Sequence, residues 1–324
     1  MNLVRSQTAQ KLDERKFGDP ERTLTGETRA RVALTTLETL WINTGTLCNI
    51  ACANCYIESS PRNDNLVHIK AAEVASYLDE IERVGLPTAE IAFTGGEPFM
   101  NPELVPMMED ALGRGHRVLV LTNAMRPMMR RSTALAALRA RHGARLVLRV
   151  SLDHYTAEDH ESLRGHGSWA PALAGLRWLA QNGFNVHVAG RTCWPEPTAR
   201  LRAGYARLFA AEGVCIDARN DVALVLFPEM DATLDVPEIT ERCWSILNVD
   251  PATLMCARSR MVIKRKGAAT PTVVPCTLLP HDARFEMGPD LAGAAGAVSL
   301  NHPHCARFCV LGGASCSRTG RRTP

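Results

Sequence analysis

The 324 residues, 46% of them hydrophobic, supply material for a sizeable core and point to one large domain with an appendage, or to two domains. The 37 basic and 34 acidic side chains leave a net charge of only +3, which excludes an overall field drawing the chain to nucleic acid or to a membrane surface. The first residues hold no h-region, and no apolar stretch approaches the ~18–20 residues of a membrane span, so no membrane contact is expected.

In chain order, a polar, charge-mixed stretch through Gln10–Lys16 precedes a first strand over Leu40–Thr44. The next segment, Thr46-Leu-Cys-Asn-Ile-Ala-Cys-Ala-Asn-Cys-Tyr56, carries Cys48, Cys52 and Cys55 on one loop at C-x3-C-x2-C spacing. Three thiolates from one loop can hold three irons of a cubane cluster. No further cysteine follows until Cys193, so one iron would stay open to a substrate or cofactor. A structural zinc site is the competing reading, with His68 or the C-terminal cysteines completing it. A helix over Lys70–Val84, with Val74, Leu78 and Ile81 on one face, stops at Gly85-Leu86-Pro87. Glu90–Thr94 reads as a short apolar strand running into Gly95-Gly96-Glu97. Paired glycines allow close backbone approach, and Glu97 adds a carboxylate, so the turn can grip an ammonium group. Further strands are expected over Arg117–Thr122, Arg145–Ser151, Asn185–Thr192 and Ala223–Phe227. Helices over Glu103–Leu112, Ser132–Arg141, Ala170–Asn182 and Thr198–Ala211 separate most of them. Such alternation implies an α/β fold with a parallel sheet, open or closed into a partial barrel, and ligands at the C-terminal strand ends. The cysteine loop, the Gly-Gly-Glu turn, Thr122, Asn123, Ser151 and Asp153 all fall on that rim.

The two motifs, in this order and separation, resemble those of the radical S-adenosylmethionine (SAM) superfamily over about Leu40 to Phe227. The resemblance selects a partial (β/α)6 TIM-like barrel. It implies a [4Fe–4S] cluster on Cys48, Cys52 and Cys55 whose open iron chelates SAM, and cleavage of SAM to a 5′-deoxyadenosyl radical that abstracts hydrogen. It also implies SAM contacts from Tyr56 (adenine), from Gly95, Gly96 and Glu97 (methionyl ammonium), and from Thr122 and Asn123 on the rim. Ser151 and Asp153 would meet the ribose or carboxylate, Arg164 the carboxylate, and Val188 and Arg191 the adenine and carboxylate. A reductase such as flavodoxin or ferredoxin would donate the electron. His154, His160 and His166 read as solvated, and no residue is assigned a catalytic role.

Beyond Phe227 the pattern changes. The Pro/Asp-rich stretch Pro228–Pro237 reads as a boundary, giving an N-terminal extension over 1–37, a barrel over 38–230 and a cysteine-rich domain over 231–324. A strand, a turn at Gly267 and a second strand ending at Cys276 would bring Cys256 and Cys276 together, while Cys305, Cys309 and Cys316 share the tail. This resembles the SPASM/Twitch extensions that carry auxiliary Fe–S clusters. The shorter Twitch type is expected, with one auxiliary [4Fe–4S] cluster on Cys256, Cys276 and two of the tail cysteines. A zinc ribbon competes with it, and Cys243 is open as part of a second cluster.

Cys193, Trp194, Glu196 and Glu229 are the candidate substrate contacts. The expected reaction is hydrogen abstraction from an organic substrate, with the auxiliary cluster accepting an electron or binding that substrate. A small molecule is preferred to a peptide, because only 39 residues precede the first strand. Peptide maturation and transfer of a SAM-derived group are the alternatives. An Fe–S electron carrier, or a zinc-stabilised nucleic-acid module on the basic Arg258–Lys266 stretch, would be non-catalytic. Eleven cysteines grouped near both ends suit metal binding in a reducing compartment, so the cytoplasm is expected.

Overall fold

A computed structural model of the chain describes residues 10–229 and 231–316. Residues 1–9 and 317–324 of the expected terminal regions, and the expected boundary residue Met230, lie outside them. The chain opens with β1 (Arg31–Val32), β2 (Thr39–Asn43), α1 (Ala71–Val84), β3 (Glu90–Thr94) and α2 (Leu104–Gly113). There follow β4 (Arg117–Thr122), α3 (Arg126–Met129), α4 (Ser132–His142), β5 (Leu146–Ser151), α5 (Ala157–Arg164) and α6 (Trp169–Gln181). Next come β6 (Asn185–Arg191), α7 (Thr198–Ala211) and β7 (Leu224–Phe227). The last elements are α8 (Cys243–Leu247), β8 (Ser259–Ile263), β9 (Thr272–Val274) and β10 (Val298–Ser299).

The expected strands and helices form within a residue or two of their expected ends. Helix α1 is held at its start by the Glu73 carboxylate, which accepts from the Lys70 N–H at 2.9 Å, and at its end by Gly85 in a left-handed conformation. Val74, Leu78 and Ile81 are its buried stripe. Helix α5 was not expected: its sequence, Ala-Glu-Asp-His-Glu-Ser-Leu-Arg, has no apolar period, and the Thr156 hydroxyl caps it by accepting from the Asp159 N–H.

Among the described residues one eight-stranded sheet runs β7-β6-β5-β4-β3-β2-β8-β9. All neighbours are parallel except the β8–β9 hairpin. Strands β2 to β7 with their helices are the α/β frame of the expected partial barrel. Alternation along each strand separates two cores. Leu40, Ile42, Ile91, Phe93, Val118, Val120, Leu148 and Val150 pack under the helices. Trp41, Ala92, Leu119 and Val147 face the other way, and there they meet Met255, Cys256, Cys276, Cys305, Phe308 and Cys316.

The C-terminal region therefore covers the inner face of the sheet. It also extends the sheet, since β8 lies beside β2 with Thr39 opposite Ser259 and Ile42 opposite Val262. The N-terminal stretch packs on the same region: β1 pairs with β10, and the buried Arg29 meets Glu238 at 2.6 Å. The expected hairpin forms, with Gly267 in its turn at φ +80°, so that Cys256 and Cys276 flank the same end of the β8–β9 pair.

Candidate active site

The cysteine loop leaves the end of β2 and is clasped by the turn after β3. The Gly96 N–H donates to the Gly45 carbonyl at 2.8 Å and the Glu97 N–H to the Leu47 carbonyl at 3.1 Å. Both glycines are required by this clasp. Gly95 sits at φ +141°, where a Cβ would lie 2.5 Å from the Gly45 oxygen, and a Cβ on Gly96 would lie 2.1 Å from the Leu47 oxygen. Further along the loop, the Cys48 N–H donates to Ser60 and the Ala53 N–H to Leu163, on α5. Loop, turn and α5 thus form one hydrogen-bonded unit.

The three thiols open on a cavity of about 130 Å³ at the C-terminal strand ends. Cys48, Cys52, Cys55, Tyr56, Gly95, Gly96, Thr122, Asn123, Ser151, Asp153, Arg164 and Arg191 all line it. Leu121, Phe227, Leu278 and Phe308 give it an apolar side, and Cys316 lies on the same wall. Cys48 is only 5% exposed, and burial pushes its thiol up to about 12, so a proton leaves this sulfur readily only when a cation replaces it. Among the described residues no group of three or more His, Cys, Asp or Glu is placed to hold a single metal ion. A cubane cluster makes a different demand, one thiolate to each iron, which three cysteines on one cavity wall can meet.

Several expected contacts fall elsewhere. Glu97 is buried behind the cavity wall. Its carboxylate accepts from the Thr122 hydroxyl at 2.8 Å, the Asn123 N–H at 2.8 Å and the Phe99 N–H at 3.2 Å, and thereby positions Thr122 and Asn123. Val188 belongs to the core under the helices; Ala189 and Arg191 line the cavity instead, because successive strand residues point to opposite faces. The Arg164 fork is occupied by Asp153, with Nε and Nη2 donating at 2.8 and 3.0 Å. Arg191 and Asn54, both on the cavity wall, donate to the Glu229 carboxylate at 3.2 and 3.1 Å. Cys193, Trp194 and Glu196 do not line the cavity; Glu196 accepts from Tyr155 and meets His154 and Arg200. His154 and His160 are buried rather than solvated.

A second cavity is lined by Cys256, Cys276, Cys305 and Cys309, with His304 and apolar side chains completing it, and Leu278 on the wall of both cavities. Cys243 is absent from it, its sulfur instead meeting Thr240. Cys316 is also absent from it, its sulfur accepting from the Thr277 hydroxyl at 3.4 Å and its carbonyl from the buried Arg149 at 2.9 Å. On β8 the fully buried Arg260 donates from its guanidinium to the carbonyls of Ala294, Cys256, Ser259 and Gly296, with no carboxylate partner among the described residues. Cys256 and Cys276 are near enough to act on its charge, and thiolates bound to a cluster there would offset this buried cation. The sequence carried a signal for it: an arginine inside the apolar strand Ser-Arg-Met-Val-Ile. The rest of that basic stretch is engaged by acids, Arg258 by Glu38, Lys264 by Glu73, Arg265 by Glu286 and Lys266 by Asp64.

Residues 42–202 match the family model of the Radical SAM superfamily. The chain carries a radical SAM domain. Its cofactors are a [4Fe–4S] cluster and SAM, and the three cavity thiols and the rim around them fit that pair. Among curated relatives, the radical SAM domain is 33% identical over 143 residues to the antilisterial bacteriocin subtilosin biosynthesis protein AlbA of Bacillus subtilis, covering 44% of this chain and 30% of that protein. It is 31% identical over 137 residues to the mycofactocin maturase MftC of Mycobacterium tuberculosis, covering 42% and 33%. The matched segment thus spans about a third of these relatives' length. Among solved structures, Streptococcus suis SuiB bound to S-adenosylmethionine superposes with a TM-score of 0.57 at 10% identity, covering 78% of this chain and 63% of that one. The anSMEcpe structure with bound AdoMet gives 0.55 at 13% identity, covering 78% and 77%. These likenesses concern the fold. Among the described residues no helix is long and apolar enough to cross a membrane.

Proposed function

We propose that the chain is a radical SAM oxidoreductase that abstracts hydrogen from a peptide, assisted by one auxiliary [4Fe–4S] cluster on Cys256, Cys276, Cys305 and Cys309. The observation that carries the auxiliary site is the cavity lined together by Cys256, Cys276, Cys305 and Cys309. When bound, the SAM-site cofactors supply one-electron cleavage of SAM, the source of a hydrogen-abstracting radical. The chain's own residues prepare for this. Cys48, Cys52 and Cys55 would hold the cluster, and the Gly95–Gly96 backbone, the Thr122–Asn123 pair and the Asp153–Arg164 pair on the cavity wall would hold SAM. Leu121, Phe227, Leu278 and Phe308 keep water from the remaining space, where a substrate side chain would enter. Cys316 stays outside the auxiliary ligand set and faces that space.

The peptide reading is supported by the relatives: a bacteriocin biosynthesis protein, a maturase, and SuiB, also solved bound to its precursor peptide SuiA. A small metabolite is the other arm of the test. A reductase such as flavodoxin or ferredoxin, in the cytoplasm, is the proposed electron donor.

Anaerobic reconstitution should give roughly eight irons per chain, and SAM with dithionite should yield 5′-deoxyadenosine. Cys256→Ser, Cys276→Ser, Cys305→Ser and Cys309→Ser should each lose about four irons, whereas Cys316→Ser keeps all of them. Iron loss from Cys316→Ser would overturn the ligand set, and SAM cleavage by Cys48→Ala would overturn the first site. Deuterium reaching 5′-deoxyadenosine from a labelled precursor peptide supports the peptide reading; transfer from labelled metabolites alone replaces it.

A further inference from the structure

Among the described residues, His304 is the one polar side chain other than cysteine on the four-thiol cavity. It immediately precedes Cys305 and is 8% exposed. Its ring lies tilted against His302 with centroids 4.7 Å apart, and its N–H donates to the His302 Nδ1 at 3.1 Å, so backbone and ring are both held. Yet its own Nδ1 is buried with no hydrogen-bond partner among the described residues. Buried side-chain nitrogens are nearly always paired, and leaving one unpaired costs free energy. His304 shares this cavity wall with Cys256, Cys276, Cys305 and Cys309, and every other wall residue among the described residues is apolar.

We propose that His304 donates a hydrogen bond from Nδ1 to a sulfur of the cluster carried by Cys256, Cys276, Cys305 and Cys309. This rests on the auxiliary-cluster reading above and gives it a tuning residue. A hydrogen bond to cluster sulfur favours the reduced, more negative state, so His304 raises the reduction potential. An accessible potential suits a cluster that accepts an electron from a substrate radical. His304 touches no substrate and is therefore a positioning residue.

The test uses the full chain with Cys48, Cys52 and Cys55 all changed to Ala, so that only the C-terminal cluster is reconstituted. Iron is counted and the midpoint potential is followed by electron paramagnetic resonance for this parent and for its His304→Leu and His304→Gln variants. The parent should bind about four irons. His304→Leu should keep them while its reduced-to-oxidised ratio at the parent's midpoint falls about tenfold, equivalent to about 59 mV for one electron. His304→Gln, whose amide can still donate, should recover most of that shift. An unchanged midpoint in His304→Leu overturns the hydrogen bond. Loss of iron from both variants makes His304 a ligand and also overturns it. A parent without iron overturns the auxiliary-cluster reading itself, a distinct failure.

Discussion

Glu97 is a buried carboxylate whose work is done through its neighbours. Burial pushes it up from 4.5 to about 7, although three hydrogen bonds from Thr122, Asn123 and Phe99 favour its charged form. The folded chain thus holds this proton more tightly than the unfolded chain does. The stabilisation is full below about pH 4.5 and is lost as pH rises through about 7. Urea unfolding of the wild-type chain across that window should therefore show stability falling by up to about 3 kcal/mol from this group. Glu97→Gln should flatten that part of the profile; an unchanged slope would mean the proton is held elsewhere. Asp153 and Arg164 show the opposite arrangement, a bidentate pair in which each group compensates the other at the cavity wall.

At the scale of elements, the β3 turn and the cysteine loop act as one piece. The Gly95–Gly96 pair was read as an ammonium-binding turn, and its structural reason is closer at hand: two carbonyls of the cysteine loop occupy the space a side chain would need. Gly96→Ala should push the Leu47 carbonyl away, cost about 1–3 kcal/mol or more, and deplete iron from the Cys48–Cys55 site while sparing the four-thiol site. Selective iron counts against the Cys48→Ala variant check this. Equal iron in Gly96→Ala and wild type would show that the loop yields without consequence. The strand face explains Val188 in the same terms. Arg191 lies three residues on, hence on the opposite face, so only one of the two can reach the cavity.

At the scale of the whole molecule, the C-terminal region closes the inner side of the sheet. Its links are β8 beside β2, the shared core around Trp41 and Phe308, and the Arg149 bond to the Cys316 carbonyl. The four thiols lie inside this junction, so a metal bound there would support packing as well as chemistry. Stripping iron anaerobically with a chelator should lower the thermal midpoint by ~5 °C or more and speed proteolysis near the β8–β9 hairpin. Cys276→Ser should reproduce that loss, whereas Cys48→Ala should not. Equal melting of stripped and loaded protein would separate the cluster from the packing.

Local chemistry decided what could be read directly from the sequence. The apolar runs, glycine stops and helical periods located β2 to β7 and most helices, because each of those signals lies within a few residues of the structure it forms. The C-x3-C-x2-C loop and the Gly95–Glu97 turn pointed to the radical SAM domain for the same reason: one short segment carries the chemistry. Only the tertiary structure separated the five C-terminal thiols into four around one cavity and Cys316 on the other. Only it revealed that β8 joins β2, that Glu97 lies behind the wall, and that Arg260 is buried among carbonyls with no carboxylate partner among the described residues. Those facts depend on which distant segments share a space, and contacts across some two hundred residues leave no periodicity in the chain that makes them.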